Sequence, residues 1–158
     1  MELATADLCD NNDDVQVAQP LLHDFGGRRA FHGPIATVRI ADDNTSVRAL
    51  LEQPGAGRVL VVDNRGSLRC AVVGDQLAAL AYKNGWAGIV VHGCIRDSAA
   101  LAATPVGIKA LAAMPRKSEK RGPGEIDLAV TFAGVTFTPG HHLYADSDGI
   151  VLAARPLI

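Results

Sequence analysis

The chain carries no surplus of positive charge: fifteen Lys and Arg stand against seventeen Asp and Glu in 158 residues, giving a net charge of -2 and a pI near 6.2. That balance lacks the broad positive field that non-specific nucleic-acid binding uses, so no direct nucleic-acid partner is expected. Paired cysteines are missing too. Cys9, Cys70 and Cys94 are odd in number, far apart and without a Cys-x-x-Cys spacing. They read as reduced thiols, with Cys70 and Cys94 buried in apolar strand-like runs as small hydrophobes. No apolar run approaches the roughly 20 residues that span a bilayer, and the opening "MELATADLCDNNDD" has neither a basic nor an apolar leader region. The expectation is a cytoplasmic protein that does not engage a membrane. There is no internal repeat and no low-complexity linker, and this length suits one domain spanning residues 1–158.

Several routes to chemistry are also missing. No Ser-His-Asp order or reactive-Cys setting stands out, which argues against covalent catalysis. Gly55-x-Gly57 and Gly122-x-Gly124 lack the rest of a dinucleotide fingerprint. Lys83, Lys109, Lys117 and Lys120 give no sign of the desolvated lysine a Schiff base needs. His23, His32 and His92 are isolated, and His141-His142 on a strand would point to opposite faces.

What is present is an alternation of strands and helices. "GPIATVRI" reads as a strand, "DDNTSVRALLEQPG" as a helix with its own punctuation, and "RVLVVDN" as a strand covered on both faces. "GSLRCAVVG" is predicted as a further strand. A helix follows from Asp75, with Gly85 at its left-handed C-terminal stop. "AGIVVHG" returns as a strand, then come a short Ala-rich helix, the strand "PVGIKALA" and a solvated loop "RKSEKRGPGE". "IDLAVTFAGVTFTPG" reads as two strands joined at Ala133-Gly134, and "HLYADSDGIVLA" as two more around an Asp-Ser-Asp-Gly turn. Strands dominate late, so the fold class is α/β with a mixed sheet.

The stretch that invites function is Gly74-Asp75, followed after twenty residues by Arg96-Asp97. Either aspartate alone is explained by helix N-capping. Together they suggest a site, because Gly74 and Gly93, read as strand ends, place both segments at the carboxyl ends of strands, where open α/β sheets bind ligands. Free amides at Gln76 and Leu77 then suit an anion, Arg96 offers a planar fork for a carboxylate, and Asp97 offers a hard oxygen for Mg²⁺ or Mn²⁺.

Gly74-Asp75-x20-Arg96-Asp97, followed by "GIKAL", "FAGVTFTPG" and "YADSDGIV", resembles the family of the regulator of ribonuclease activity A (RraA) and the 4-hydroxy-4-methyl-2-oxoglutarate aldolases, over almost the whole chain. The resemblance implies a β/β/α swivelling-domain sandwich, assembled as a homotrimeric ring with the site near subunit contacts. It implies a substrate bound through Gly74 and the amides of Asp75, Gln76 and Leu77, a substrate-binding and catalytic Arg96, a catalytic Asp75 that orients a water, and a metal ligand at Asp97. The implied activity is a divalent-metal-dependent lyase that cleaves a C–C bond next to a 2-oxo acid and releases pyruvate, by retro-aldol cleavage or oxaloacetate decarboxylation. The implied alternative is a regulator that binds ribonuclease E or an RNA helicase partner of the degradation machinery and inhibits by occlusion. Three features depart from the aldolase pattern: Ala100 stands where some active members carry an acid, the chain ends at Ile158 without a longer extension, and Asn64-Arg65 replace expected glycines. Arg65 is expected either to add a positive group to the pocket or to crowd it. For the trimer there is also a physical argument, that the late apolar strands have too few helices to cover them.

Overall fold

The computed structural model describes residues 2–158. In chain order its elements are α1 (Thr5–Asn11), β1 (Gln16–Val17), β2 (His23–Asp24), β3 (Phe31–Arg39), α2 (Thr45–Leu51), β4 (Val59–Asp63), β5 (Ala71–Val73), α3 (Asp75–Lys83), β6 (Gly88–Ile95), α4 (Ser98–Ala102), β7 (Gly107–Ala113), β8 (Glu125–Ile126), β9 (Val130–Phe132), β10 (Val135–Phe137), β11 (His142–Asp146) and β12 (Gly149–Ala153). The central strands β3, β4, β6 and β7 run parallel, and β11 and β12 continue antiparallel on the other side of β3.

β3 belongs to both parts of the sheet. Phe31–Pro34 pair with β11, whereas Ile35–Arg39 pair with β4, so the sheet changes direction within one strand. Every residue of β4 is buried, as expected for a strand covered on both faces. One face carries Val38, Leu60, Val62, Ile89 and Ile108 against Val47 and Leu51 of α2, Leu77 and Ala81 of α3 and Leu101 of α4. The opposite face carries Ile35, Val59, Val61 and Val90 against Phe132 and Phe137 of the β9–β10 hairpin and Leu143 and Leu152 of β11 and β12. Each such aliphatic side chain contributes about 1.5–3 kcal/mol on burial. The result is a β/β/α sandwich with mixed strand directions.

The hairpin turn falls at Ala133 and Gly134, with φ of 51° and 73°. Positive φ at both central positions is the twist that tight hairpins need. Gly85 likewise stands at φ 80° just past α3.

Three expectations need correction, and one element comes in addition. "GSLRCAVVG" is a strand only over Ala71–Val73, because the residues before it form a loop that carries Arg69 to the carboxylate of Asp42. β6 runs through Gly93 to Ile95, with an irregularity against β7 between Val91 and Cys94, so the site segment starts two residues after its expected position. The late strands are not left uncovered: Val130, Phe132, Val135 and Phe137 are buried inside the chain's own second layer, which removes the packing argument for a trimer. Finally, α1 was not foreseen. It is short and has no side-chain cap, and it is held by packing of Leu8 on Tyr144 and Val151 and by bonds from the Thr5 amide and hydroxyl to the Asp146 carboxylate, 2.8 and 2.6 Å.

Candidate functional site

β5 and β6 lie side by side, and the chain leaves both at the same end of the sheet. After β5 comes Gly74 and then α3; after β6 come Arg96, Asp97 and α4. The Arg96 amide donates to the Val73 carbonyl at 2.9 Å, which fastens the two exits together. Gly74, Asp75, Gln76, Leu77, Arg96 and Asp97 therefore line one cleft of about 230 Å³. Spacing in sequence becomes adjacency in space because parallel neighbours end together.

Asp97 is the unusual residue. It stands before α4 in the left-handed region, φ 60° and ψ 43°, yet its side chain does not cap that helix. Its Oδ2 instead accepts the backbone amide of Asp75 across the cleft at 3.0 Å. A left-handed non-glycine residue costs of order 1 kcal/mol, least for Asp and Asn. The conformation turns an exposed carboxylate back towards the N-terminus of α3, whose dipole favours it. The capping explanation for Asp97 does not hold for its own helix. For Asp75, the cap position belongs to Gly74, and the Asp75 Oδ1 accepts the next amide, Gln76, at 2.8 Å. Two of the amides expected to face an anion are thus already engaged by carboxylates of the site.

Gly74 makes the approach possible. A Cβ there would stand 2.7 Å from Oδ2 of Asp97 and 3.5 Å from Cγ of Arg96, so both side chains use the space that glycine leaves.

The cleft also contains groups that the sequence did not single out: Asn44, Arg48, Lys117 and Ser118. Arg48 of α2 donates to Gln76 Oε1 at 3.2 Å, and Asn44 donates to the Val72 carbonyl at 3.1 Å. Lys117 and Ser118 come from the segment expected to be a solvated loop. That segment is fastened: the Ala71 amide donates to the Arg116 carbonyl at 2.7 Å, and the Arg121 and Gly122 amides donate to the buried Asp43 carboxylate. Burial works against the charge of Asp43, but bonds from Thr45, Gly122 and Arg121 outweigh it and hold the carboxyl well below the ordinary range. No periodicity marked this loop; only its many cations set it apart.

Arg65 neither fills nor crowds the cleft. Its Nε donates to the Ile40 carbonyl at 3.3 Å, away from Arg96. Ala100 is exposed on α4 and has no acid to offer. Cys70 and Cys94 are buried thiols, each pushed up by burial, Cys70 to about 11. His92 is structural, stacked on Phe132 at 4.5 Å with Nδ1 3.3 Å from Asp63. Lys109 contradicts the expectation that no lysine is desolvated: it is 3 % exposed, with Nζ 3.0 Å from Asp24. It lines a different cavity from the candidate cleft and is ion-paired there.

Among the described residues, no three His, Cys, Asp or Glu side chains gather to hold a metal ion. The acids of the cleft are Asp75 and Asp97 alone. Hard oxygens from one or two carboxylates do not make a zinc cage, but they fit Mg²⁺ or Mn²⁺, which keep several water or substrate ligands.

Comparison with known proteins agrees with the fold. The family model RraA-like (Aldolase/RraA) matches residues 5–152. A protein of Xanthomonas campestris pv. campestris, provisionally named 4-hydroxy-4-methyl-2-oxoglutarate aldolase, is 57 % identical over 157 residues, which is 99 % of this chain and 95 % of the relative. The structure of the RNA-processing inhibitor RraA from Thermus thermophilus superposes with a TM-score of 0.96 at 46 % identity, covering 100 % of this chain and 96 % of the other. A Geobacillus kaustophilus structure described as an S-adenosylmethionine:2-dimethylmenaquinone methyltransferase gives 0.94 at 48 % identity, covering 98 % and 97 %. With the family model, the sequence identity and the superposed fold all spanning nearly the whole chain, this chain belongs to the RraA-like family.

Proposed function

We propose that the protein is a divalent-metal-dependent lyase that cleaves a C–C bond next to a 2-oxo acid and releases pyruvate, from 4-hydroxy-4-methyl-2-oxoglutarate, oxaloacetate or a compound of that class. The observation that supports this most is the convergence of Arg96 and the left-handed Asp97 on the Gly74–Leu77 turn. The aldolase name carried by relatives with more than half of their residues in common points the same way.

Asp97, with Asp75 acting through water, would hold Mg²⁺ or Mn²⁺, which supplies Lewis-acid polarisation of the 2-oxo group. Arg96 binds the substrate carboxylate and stabilises the negative charge that develops on the keto oxygen as the bond breaks. Asp75 orients a water that takes the proton of the C4 hydroxyl in retro-aldol cleavage, as that carbon becomes a carbonyl, and that gives a proton to C3 of the pyruvate enolate in either reaction. Arg48 and Lys117 give the cleft further cations beyond Arg96, which suits a substrate with a second carboxylate. Retro-aldol cleavage and decarboxylation pass through the same charge distribution, so one site serves both.

The test is pyruvate release from oxaloacetate and from 4-hydroxy-4-methyl-2-oxoglutarate, with and without Mg²⁺. Turnover that requires both the metal and Arg96 supports the reading; none with either substrate at any divalent metal overturns it.

A second reading is favoured by the RNA-processing inhibitor among the structural neighbours. Here the protein docks on ribonuclease E or a helicase partner and slows RNA cleavage by occlusion, with little affinity for RNA itself. In both readings the protein acts in the cytoplasm as a homotrimer. Val17 and Leu21, 55 % and 46 % exposed near β1 and β2, are candidate contact residues for that assembly. No helix of the described residues is long and apolar enough to cross a membrane.

A further inference from the structure

Beside the candidate cleft lies a second cavity of about 350 Å³, floored by the buried Asp42 and Cys70 and walled by Arg69, Arg116, Lys117 and Arg121. Lys117 lines both cavities. The chain as a whole is slightly acidic, so this concentration of cations is local. Glu119 is the one other acid in the lining.

The cations are placed by backbone bonds. Arg116 and Lys117 are tied to Ala71, and Arg121 to Asp43, so the segment that carries them is preorganised. Their side chains are different: Arg116, Lys117 and Arg121 make no ion pair among the described residues. Arg69 is paired with Asp42 at 2.8 Å, and Asp42 also accepts from Asn64 at 3.1 Å and faces Cys70 Sγ at 3.3 Å. The charge of Asp42 is therefore met at the floor, and the positive charge at the walls is left over.

We propose that this second cavity is a binding site for a small, multiply charged oxyanion, held by Arg116 and Arg121 and adjoining the candidate cleft through Lys117. Guanidinium forks match the paired oxygens of phosphate and carboxylate groups. Four cations against Asp42 and Glu119 leave the lining with a positive balance, and a concave site of net positive charge raises the local concentration of anions. The volume is within the range of about 300–1,000 Å³ usual for small-molecule pockets. No aromatic side chain lines it, so single-stranded nucleic acid would find no stacking platform. Phosphate compounds and polycarboxylates share the chemistry that the site recognises.

The inference does not rest on lyase activity, and its test needs no turnover. Metal-free protein is titrated calorimetrically with inorganic pyrophosphate and, separately, with citrate, at low salt and at about 0.15 M salt. The expected result is saturable binding of at least one of them, weakened by salt, weakened at least about tenfold in Arg116→Glu/Arg121→Glu, and retained in Arg96→Gln. Which anion binds more tightly separates the phosphate source from the carboxylate source. Where charge reversal disturbs folding by circular dichroism, Arg116→Gln/Arg121→Gln replaces it, with the same direction expected. Absence of binding at millimolar anion overturns the proposal. So does binding that survives the loop variants but disappears in Arg96→Gln, since the anion then sits in the candidate cleft. A short single-stranded RNA that binds more than about tenfold tighter than either anion overturns the small-ligand assignment in favour of nucleic acid.

Discussion

Replacing Gly74 with alanine separates a residue needed for the backbone from one needed for the site. Gly74 has φ −134° and ψ −163°, an extended conformation open to any residue, so alanine adds no backbone strain. The added Cβ would meet Oδ2 of Asp97 at 2.7 Å. Carbon and a carboxylate oxygen do not remain that close, so the carboxylate must retreat by several tenths of an ångström. The bond that Oδ2 accepts from the Asp75 amide, 3.0 Å in the native arrangement, is then stretched or lost. A hydrogen bond to a charged acceptor is worth about 1.5–3 kcal/mol. Asp97 is exposed, so the low end applies. That corresponds to a loss of roughly tenfold, and misplacement of the reacting groups adds to it, up to about 100-fold in kcat/KM. The assay pairs metal-dependent pyruvate release with Mn²⁺ titration by electron paramagnetic resonance, and monitors thermal unfolding alongside. The expected outcome is weaker Mn²⁺ binding and lower turnover with Tm within a few degrees of the parent. A Gly74→Ala protein with unchanged Mn²⁺ affinity and turnover would refute the argument that glycine is there to admit Asp97.

Asp97→Asn keeps the shape of the side chain and tolerates the left-handed backbone, so it should stay folded while losing Mg²⁺-dependent pyruvate release; retained turnover would assign the metal elsewhere. Asp43→Ala removes the acceptor for Thr45, Arg121 and Gly122, and is expected to destabilise the protein by about 2–4 kcal/mol in urea unfolding. For Asp42, burial opposes ionisation, but bonds from Ser67, Arg69, Cys70 and Asn64 prevail and lower its pKa to about 2. A depressed folded pKa stabilises at pH above the unfolded value near 4 and that stability is lost as pH falls towards about 2. Asp42→Asn should therefore flatten the stability profile over that interval, and an unchanged slope would contradict the assignment. Lys109→Ala leaves Asp24 without its ion-pair partner in a buried setting and should cost about 3–5 kcal/mol, whereas Lys109→Met with Asp24→Leu should cost much less. If neighbouring subunits complete the site, dilution that splits a trimer should lower specific activity, and a fully active monomer near 16.5 kDa in sedimentation would remove both the ring and the shared site.

The elements legible in the sequence were those whose pattern is local. β4 reads as five consecutive buried residues, α3 as a Leu77, Ala81 stripe between Asp75 and Gly85, and the β9–β10 hairpin as two alternating runs around Ala133-Gly134. The elements missed depend on distant partners. α1 has only seven residues, too short to be stable alone, and it exists because Asp146 and Tyr144 lie beneath it. Lys109 sits in an apolar strand like any residue of "GIKAL", and its burial follows from the distant Asp24 pairing through β2.

By itself, the sequence determined the residue types of the site and their order: Gly74-Asp75 after one strand and Arg96-Asp97 after another. The tertiary structure alone decided how those groups meet. It turned Asp97 into a left-handed conformation so that its carboxylate caps α3 instead of α4, and it brought Arg48 from α2 and Lys117 from a fastened loop to the same cleft. It also removed Arg65 from the site and enclosed the late strands within the chain's own core. The reason is physical: periodicity and punctuation are local and survive in one dimension, whereas a hydrogen bond between residues twenty or more apart is fixed only when strand pairing and packing close the loop between them.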